Sequence, residues 1–518
     1  MNFSETLSIV AQIMPDRIAT LFDDESTSFA ELDHEASLIA SGLISMGIKP
    51  GDRIAYLGVN SDIQIKSIYG IARAGGILVP LNYRAREPEV EFSVNDSGAK
   101  VIIVGQDYKD LVLSISSNIK HPLQVVFLGK DDIPENWISY PDIVKQSGLS
   151  YPKIDSKDSA VILYTSGTTG LAKGVLLTHH SLVASLLENI FPDIDNTEVV
   201  LLCMPLYHVA GIQVLLTSIY EGRTLVIQRQ FNAAEWLSLV SGQKVSRATL
   251  VPTMLKMILE DESFKKTNLS SLRIITYGAA AMPLLVITEA IKKLPKVAFI
   301  NAFGQTESGA TIAALTPEDH QLSGLPAVIN KKLNRLKSIG KPLEGIEVRI
   351  DDDMGETIYP SRIGEILVRG PQVMKGYWND DKSTSSAIND GWLHTGDIGY
   401  IDEDGYIFLE GRSKDFIKRG GERISPNEIE SVLLSHPYVE EAAVIGVPDP
   451  HWGEVIWAVV QITDNVVVTE SELISHCKIL LASFKKPEHI VFIKKMPKNS
   501  LGKILKLELK KLYLNPLT

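Results

Sequence analysis

Residues 160–181 read AVILYTSGTTGLAKGVLLTHHS. An apolar run, Ala160–Thr165, leads into Ser166-Gly167-Thr168-Thr169-Gly170 and then Lys173-Gly174. From Thr165 to Gly170 there are four hydroxyls and two glycines. Glycines let backbone N–H groups approach an anion, hydroxyls donate further hydrogen bonds, and Lys173 adds positive charge. The pattern points to a polyphosphate. It is not a Walker A loop, because Ala172 stands where G-x-x-x-x-G-K needs its second glycine. A plain Ser/Gly/Thr turn has the same composition, but the strand in front and the lysine behind favour the anion cradle.

With residues 160–165 counted, seven β-branched runs recur between helical patterns, the others being residues 53–59, 100–105, 124–129, 199–204, 224–229 and 271–278. Helical stretches such as 181–190 and 232–240 lie between many of them. Strands alternating with helices predict a mostly parallel α/β sheet. Beyond Lys337 the texture changes to close-spaced strands separated by turns such as Asp404-Gly405, which predicts an antiparallel β subdomain. After Arg412 a fresh α/β stretch begins: SPNEIESVLLSH and ESELISHCKILLASF read as helices, EEAAVIGVPD and EVIWAVVQIT as strands. This last segment has the size of a small domain. The predicted class is therefore α/β: layered sheets and an antiparallel subdomain in a large N-terminal domain, then a small α+β C-terminal domain.

The chain has 518 residues, 45% hydrophobic and 22% charged, which excludes a disordered or fibrous protein. Two cysteines exclude a disulfide scaffold and a cysteine-ligated zinc site, and fit a reducing compartment. The net charge of −12 argues against a nucleic-acid partner. The charge is uneven, because residues 485–518 hold nine lysines and two glutamates. The first basic residue is Arg17, so the start lacks the basic region of a signal peptide. The longest uncharged run, Val199–Tyr220, is broken by Pro205, His208, Gly211 and Gln213, and reads as a strand, loop and helix rather than a membrane span. A soluble cytoplasmic protein is expected, and the sequence is compatible with a homo-oligomer.

Two further segments carry chemistry. In residues 391–430, Asp397 follows Thr395-Gly396 and Arg412 follows Gly411. An aspartate can accept from both hydroxyls of a ribose, and an arginine can pair with phosphate or ribose oxygen. Their plainer alternatives are a turn-capping aspartate and a surface ion pair. In PKNSLGKILK (497–506), Lys503 follows Gly502 in a short polar loop, where a lysine is ordinarily just solvated.

Together with PLYHVAG (205–211), YGAAAMP (277–283), NAFGQTES (301–308) and GEILVRGPQVMKGYW (364–378), these three segments resemble, in order and over nearly the whole chain, the adenylate-forming superfamily of acyl-CoA synthetases, peptide-synthetase adenylation domains and luciferases. The resemblance implies an N-terminal AMP-binding domain at 1–412, a hinge at 413–414 centred on Lys414, and a mobile C-terminal domain at 415–518. It implies two steps. A carboxylate attacks the α-phosphorus of ATP, releasing pyrophosphate, and the thiol of coenzyme A then expels AMP.

By motif match, Thr165, Ser166, Gly167, Thr168, Thr169 and Lys173 hold the β- and γ-phosphates. Glu307 is the carboxylate for Mg²⁺, and Thr306 approaches the α-phosphate. Gly278, Ala279 and Ala280, with Asn301 and Phe303, border the adenine. Asp397 takes the ribose hydroxyls, supported by Arg412. Lys503 bridges the substrate carboxylate and the α-phosphate, and His208 gates the acyl site as a positioning group. Gly420-Gly421 replaces Lys503 for thioester formation, with Lys418 a further contact to coenzyme A.

The chain departs from the family pattern at Ala172 and Ala281, where proline is common, and at NSLGK; none of these removes a charged group. No aspartate follows Tyr207, as a peptide-synthetase domain would have. Ala302 stands where a malonate-type ligase offers arginine. HVAGIQVLL, VPTML (251–255) and SGATIAA (308–314) are apolar and small, which favours an uncharged aliphatic or aromatic acid, as in fatty acid metabolism. The alternatives are an acyl-AMP ligase loading another acceptor and a catalytically silent nucleotide binder.

Overall fold

A computed structural model describes residues 1–130, 132–145, 150–165, 172–189, 191–195, 197–352, 354–358, 360–412, 415–419, 422–463, 466–498 and 504–514. All seven β-branched runs form strands. Arg53–Leu57, Val101–Val104, Gln124–Phe127 and Ser159–Thr165 belong to an eight-stranded sheet; Val199–Leu202, Thr224–Ile227 and Ile274–Gly278 belong to a nine-stranded one. Both are parallel through their middles. In the nine-stranded sheet, Ile18–Phe22, Thr224–Ile227, Val199–Leu202, Arg247–Leu250, Ile274–Gly278 and Ala298–Gly304 run side by side in one direction. Strands buried on both faces need continuous apolar runs, and VVLL and TLVI supply them. The uncharged run resolves into the strand Val199–Leu202 and the helix Val209–Tyr220. Among the described residues, no helix is long and apolar enough to cross a membrane.

The stretch at 160–181 holds a surprise. Its first strand, Ser159–Thr165, pairs antiparallel with a second, Lys173–Thr178, so that Thr165 stands opposite Lys173. A P-loop joins a strand to a helix, whereas here a hairpin brings the last hydroxyl before the loop beside the first lysine after it.

A third sheet is antiparallel, as the turn residues predict: Glu347–Asp351, Gly364–Arg369, Trp392–Ile401 and Ile407–Arg412 form its main ladder. A fourth sheet is built from Ile417–Arg419, Glu422–Ile424, Val439–Asp449, Gly453–Ile462 and His489–Phe492. The helices Pro426–Leu434 and Glu470–Leu480 contribute Ile429, Leu433, Leu473 and Cys477 to its own core with Val444, Ile456 and Val460. Three lysines of the basic tail find their partners here. Lys485 pairs with Glu428 at 2.7 Å, Lys506 with Glu430 at 2.6 Å, and Lys498 with Glu441. Part of the tail's charge is therefore answered by acids of the same segment.

Candidate active site

One cleft of about 2610 Å³ runs along the carboxyl ends of the strands of both large sheets, where open α/β sheets place their ligands. Thr165, Lys173, His208, Gly278, Ala279, Thr306, Glu307 and Arg412 line it. These come from separate motifs, and the fold brings them to one space. Lys498, Leu505 and Glu508 line the same cleft, so the segment on either side of residues 499–503 faces the nucleotide motifs.

Local chemistry explains how each wall is held. Gly278 ends its strand so close to its neighbour that a Cβ would lie 2.1 Å from the carbonyl oxygen of Ala302, so only glycine fits. Ala279 beside it adopts φ +63°, a left-handed backbone unusual for a side chain with a Cβ. Ala280 is exposed just beyond. Asn301 is half-buried, its amide donating to Ser338 O at 3.5 Å, and Phe303 packs against the core of the antiparallel sheet. Ala280, Asn301 and Phe303 do not line the cleft as Gly278 and Ala279 do.

Asp397 and Arg412 occupy opposed positions on adjacent strands, and Arg412 Nε lies 3.0 Å from Asp397 Oδ1. Asp397 is buried and Arg412 half-exposed. The Asp397 N–H donates to Thr395 Oγ1 at 3.0 Å, and Thr395 Oγ1 donates to Ile366 O at 2.6 Å, which ties the irregular part of the strand Trp392–Ile401 to its neighbour Gly364–Arg369. Asp397 and Arg412 thus form a direct ion pair.

On the facing wall, Tyr377 Oη donates to Glu307 Oε1 at 3.0 Å. Lys173 Nζ lies 4.7 Å from the centre of the Tyr377 ring and donates to Ser383 Oγ at 2.7 Å. Asp380 in turn caps the helix Asp381–Ala387 by accepting from the Ser383 N–H at 2.9 Å. Burial, with Glu307 next to it, pushes the Tyr377 phenol upward, so it stays a donor. Neither Tyr377 nor Ser383 stood out in the sequence as functional. The GYW of residues 376–378 marked the place, but nothing local tied its hydroxyl to Glu307.

His208 sits at the N-terminus of the helix Val209–Tyr220, its ring 4.2 Å from that of Tyr207. Burial, and then the charge of Arg84, push its pKa down to about 3. The imidazole is uncharged at neutral pH, which suits a positioning group. Lys418 lies exposed on the strand Ile417–Arg419, its N–H donating to Glu454 Oε2 at 2.7 Å, and it is not among the residues lining the cleft. Ser166, Gly167, Thr168, Thr169, Lys414, Gly420, Gly421 and Lys503 lie outside the described residues.

The family model for AMP-binding enzymes matches residues 8–378, and that for the C-terminal domain of AMP-binding enzymes matches residues 428–503. The chain belongs to the AMP-binding enzyme family. It is 32% identical to a feruloyl-CoA synthase of an Amycolatopsis species, over 97% of both chains. It is 33% identical to a fatty acid–[acyl-carrier-protein] ligase of Streptomyces coeruleorubidus, over 98% of this chain and 95% of that one. The crystal structure of an anthranilate CoA ligase in complex with anthranoyl-AMP superposes with a TM-score of 0.87 at 27% identity, covering 99% of this chain and 97% of that one.

Proposed function

We propose that this protein is an AMP-forming acid–thiol ligase that activates an uncharged aliphatic or aromatic acid and passes the acyl group to coenzyme A. The observation that carries this reading is the convergence of Thr165, Lys173, Glu307, Arg412 and His208 on one cleft that continues into an apolar channel.

The first step brings a carboxylate against a polyphosphate. Its barrier is charge repulsion and misorientation, so the protein's task is to neutralise and position. Lys173, with Thr165 opposite it in the hairpin, serves the β- and γ-phosphates; residues 166–169 complete the cradle. Asp397 accepts the ribose hydroxyls and Arg412 orients it. Gly278 and Ala279 border the adenine. As a substrate carboxylate oxygen bonds to the α-phosphorus, the bond to the bridging oxygen of pyrophosphate breaks. Thr306 and Lys503 are assigned to the α-phosphate, and Lys503 also to the attacking carboxylate. Neutral His208 positions the acid by hydrogen bonding and packing rather than by taking part in proton transfer.

The donor set suits Mg²⁺. Glu307 offers one carboxylate on the cleft wall, oriented by Tyr377 through one of its oxygens. Among the described residues no cluster of three acidic, histidine or cysteine groups forms a dedicated cage. Mg²⁺ is commonly held in this way, by one or two carboxylates plus phosphates and water. When bound it would neutralise phosphate charge, and Glu307 would hold it.

In the second step the thiol sulfur attacks the acyl carbon and AMP leaves. This requires Lys503 to withdraw, and we assign Lys414 as the hinge between residues 1–412 and 415–518. Gly420-Gly421 is assigned to the pantetheine arm.

Pyrophosphate release with ATP and Mg²⁺ over a panel of carboxylic acids, followed by thioester detection with coenzyme A, tests the reading. Release with an aliphatic or aromatic acid and matching thioester supports it. Release without thioester would assign another acceptor, as the name of the Streptomyces coeruleorubidus relative illustrates. Nucleotide binding with no release would mark a silent binder. Lys503→Ala is expected to abolish most adenylation yet leave thioester formation from preformed acyl-adenylate largely intact; equal loss of both contradicts its role.

A further inference from the structure

The cleft does not end at His208. It continues along one face of the helix Val209–Tyr220, past Val209, Ala210, Gln213 and Val214, to Thr217 and Ser218. These residues recur at the spacing of a single helical face. The opposite side is Val200, Met204, Thr249 and Leu250, from the strands Val199–Leu202 and Arg247–Leu250 and the segment after the first. The channel is apolar near His208 and gains hydroxyls at its far end.

The far end is closed by charge. Arg223 and Arg247 line it, at the amino ends of the two parallel strands that flank Val199–Leu202 and therefore at the opposite edge of the sheet from the nucleotide motifs. Arg223 is buried, with Nε 2.7 Å from Glu198 Oε2, and it also pairs with Glu221. Arg247 Nε lies 3.2 Å from the same Glu198 oxygen, and its Nη2 donates to Glu198 Oε1 at 3.2 Å. Two cations and two anions thus cancel at the end of an otherwise apolar channel. Arg223 is buried while Arg247 and Glu198 are partly exposed, and parting the buried guanidinium from its carboxylates is costly, so the cluster does not yield readily to a passing chain.

Resting on the reading of the protein as an acid-activating ligase, we propose that Arg223 and Arg247 form the recognition site for the far end of the acyl chain. The preferred substrate is an unbranched acid of about ten to twelve carbons with a terminal hydroxyl. The length follows from the helix: nine residues from His208 to Thr217 rise about 13 Å, the span of an extended chain of that size. The terminal group follows from the chemistry. A hydroxyl accepts from a guanidinium N–H and donates to a neighbouring hydroxyl. A methyl group strips water from the guanidinium faces and returns no hydrogen bond. A second carboxylate adds a charge that the balanced cluster does not compensate.

The test compares kcat/KM for pyrophosphate release with dodecanoate, ω-hydroxydodecanoate, dodecanedioate and hexadecanoate. The ω-hydroxy acid should exceed dodecanoate by about tenfold, the scale of one net hydrogen bond, and the other two should fall below dodecanoate. Arg247→Leu should bring the ratio of ω-hydroxy acid to dodecanoate down to about one, with Arg247→Lys restoring part of it. Thr217→Val, which leaves the ion pairs in place, should lower the same ratio and guards against a folding defect in the arginine variants. Equal use of dodecanoate and its ω-hydroxy derivative, preference for hexadecanoate, or an unchanged ratio in both Arg247→Leu and Thr217→Val overturns the proposal while leaving the ligase reading in place. No release with any acid overturns both.

Discussion

On one side of the cleft, which Arg412 lines, Asp397 and Arg412 face each other across a single antiparallel hairpin, with Asp397 buried behind the arginine. On the other, Lys173, Glu307, Tyr377 and Ser383 converge from segments far apart in the chain; the Lys173–Ser383 contact spans 210 residues. The first wall is local. Its geometry is set by one strand register, and it forms whenever that hairpin forms. The second wall is assembled by tertiary structure alone, and each member holds the next: Asp380 holds Ser383, Ser383 meets Lys173, Lys173 covers Tyr377, and Tyr377 orients Glu307. A fault in the first would stay with the pair assigned to the nucleotide sugar. A fault in the second would reach Lys173 and Glu307, the groups assigned to the phosphates and to Mg²⁺, together.

Substitutions can break this comparison. The largest effect is expected for Glu307→Gln, which removes the single carboxylate assigned to Mg²⁺. Its kcat for pyrophosphate release should fall by about 10²–10³-fold, the scale of a lost electrostatic group at a reacting centre. Retention of near-normal kcat would remove Glu307 from that role. Asp397→Asn should act mainly on nucleotide affinity, raising KM for ATP by about 10–100-fold, since it weakens hydrogen bonds to a charged acceptor. A pure kcat effect there would make the two walls alike and contradict the division. Tyr377→Phe keeps the ring beneath Lys173 and deletes only the hydroxyl. It should cost about two- to tenfold in kcat and raise the Mg²⁺ concentration needed for half-maximal rate. An unchanged Mg²⁺ requirement would show that Tyr377 does not act through Glu307.

The smallest effect lies away from the cleft and concerns pH. His179 is buried, its Nδ1 accepting from the Phe3 N–H at 3.4 Å, and burial lowers its pKa to about 4. Between that value and the ordinary 6.5, the unfolded chain binds more protons than the folded one, so stability rises with pH across the window. His179→Gln should flatten the rise in urea midpoint between pH 5 and 7. An unchanged slope would mean that His179 is charged in the fold. For His208, whose pKa is lower still, the pH profile of kcat/KM should show no inflection near 6.5 that His208→Gln removes.

The same contrast explains what could be read before the structure. Asp404-Gly405 announces a tight turn, and the alternating runs on either side are strands, so the hairpin that pairs Asp397 with Arg412 was legible from local pattern. The seven β-branched runs were legible for the same reason. The strand Lys173–Thr178 was not read, because a Gly/Ser/Thr loop says nothing about whether a helix or a strand follows it. Ile18–Phe22 was missed because its role depends on pairing with Thr224–Ile227, roughly two hundred residues later. Tyr377 and Ser383 escaped on the same ground: their partners lie far away in sequence, and a tyrosine or serine carries no local mark of the residue it will meet. Arg223 and Arg247 gave no signal as pocket residues either, since each is a single charge beside a strand until the sheet places them on either side of Val199–Leu202, where both reach Glu198.

In the proposed reaction a carboxylate oxygen of the acid bonds to the α-phosphorus and leaves with AMP when the thiol attacks the acyl carbon. Labelling the acid's carboxyl group with ¹⁸O tests it most directly, with mass analysis of the released nucleotide after turnover with ATP, Mg²⁺ and coenzyme A. AMP is expected to carry one labelled oxygen per turnover, with unlabelled pyrophosphate and stoichiometric thioester. Unlabelled AMP, or label in a released phosphate, would contradict it.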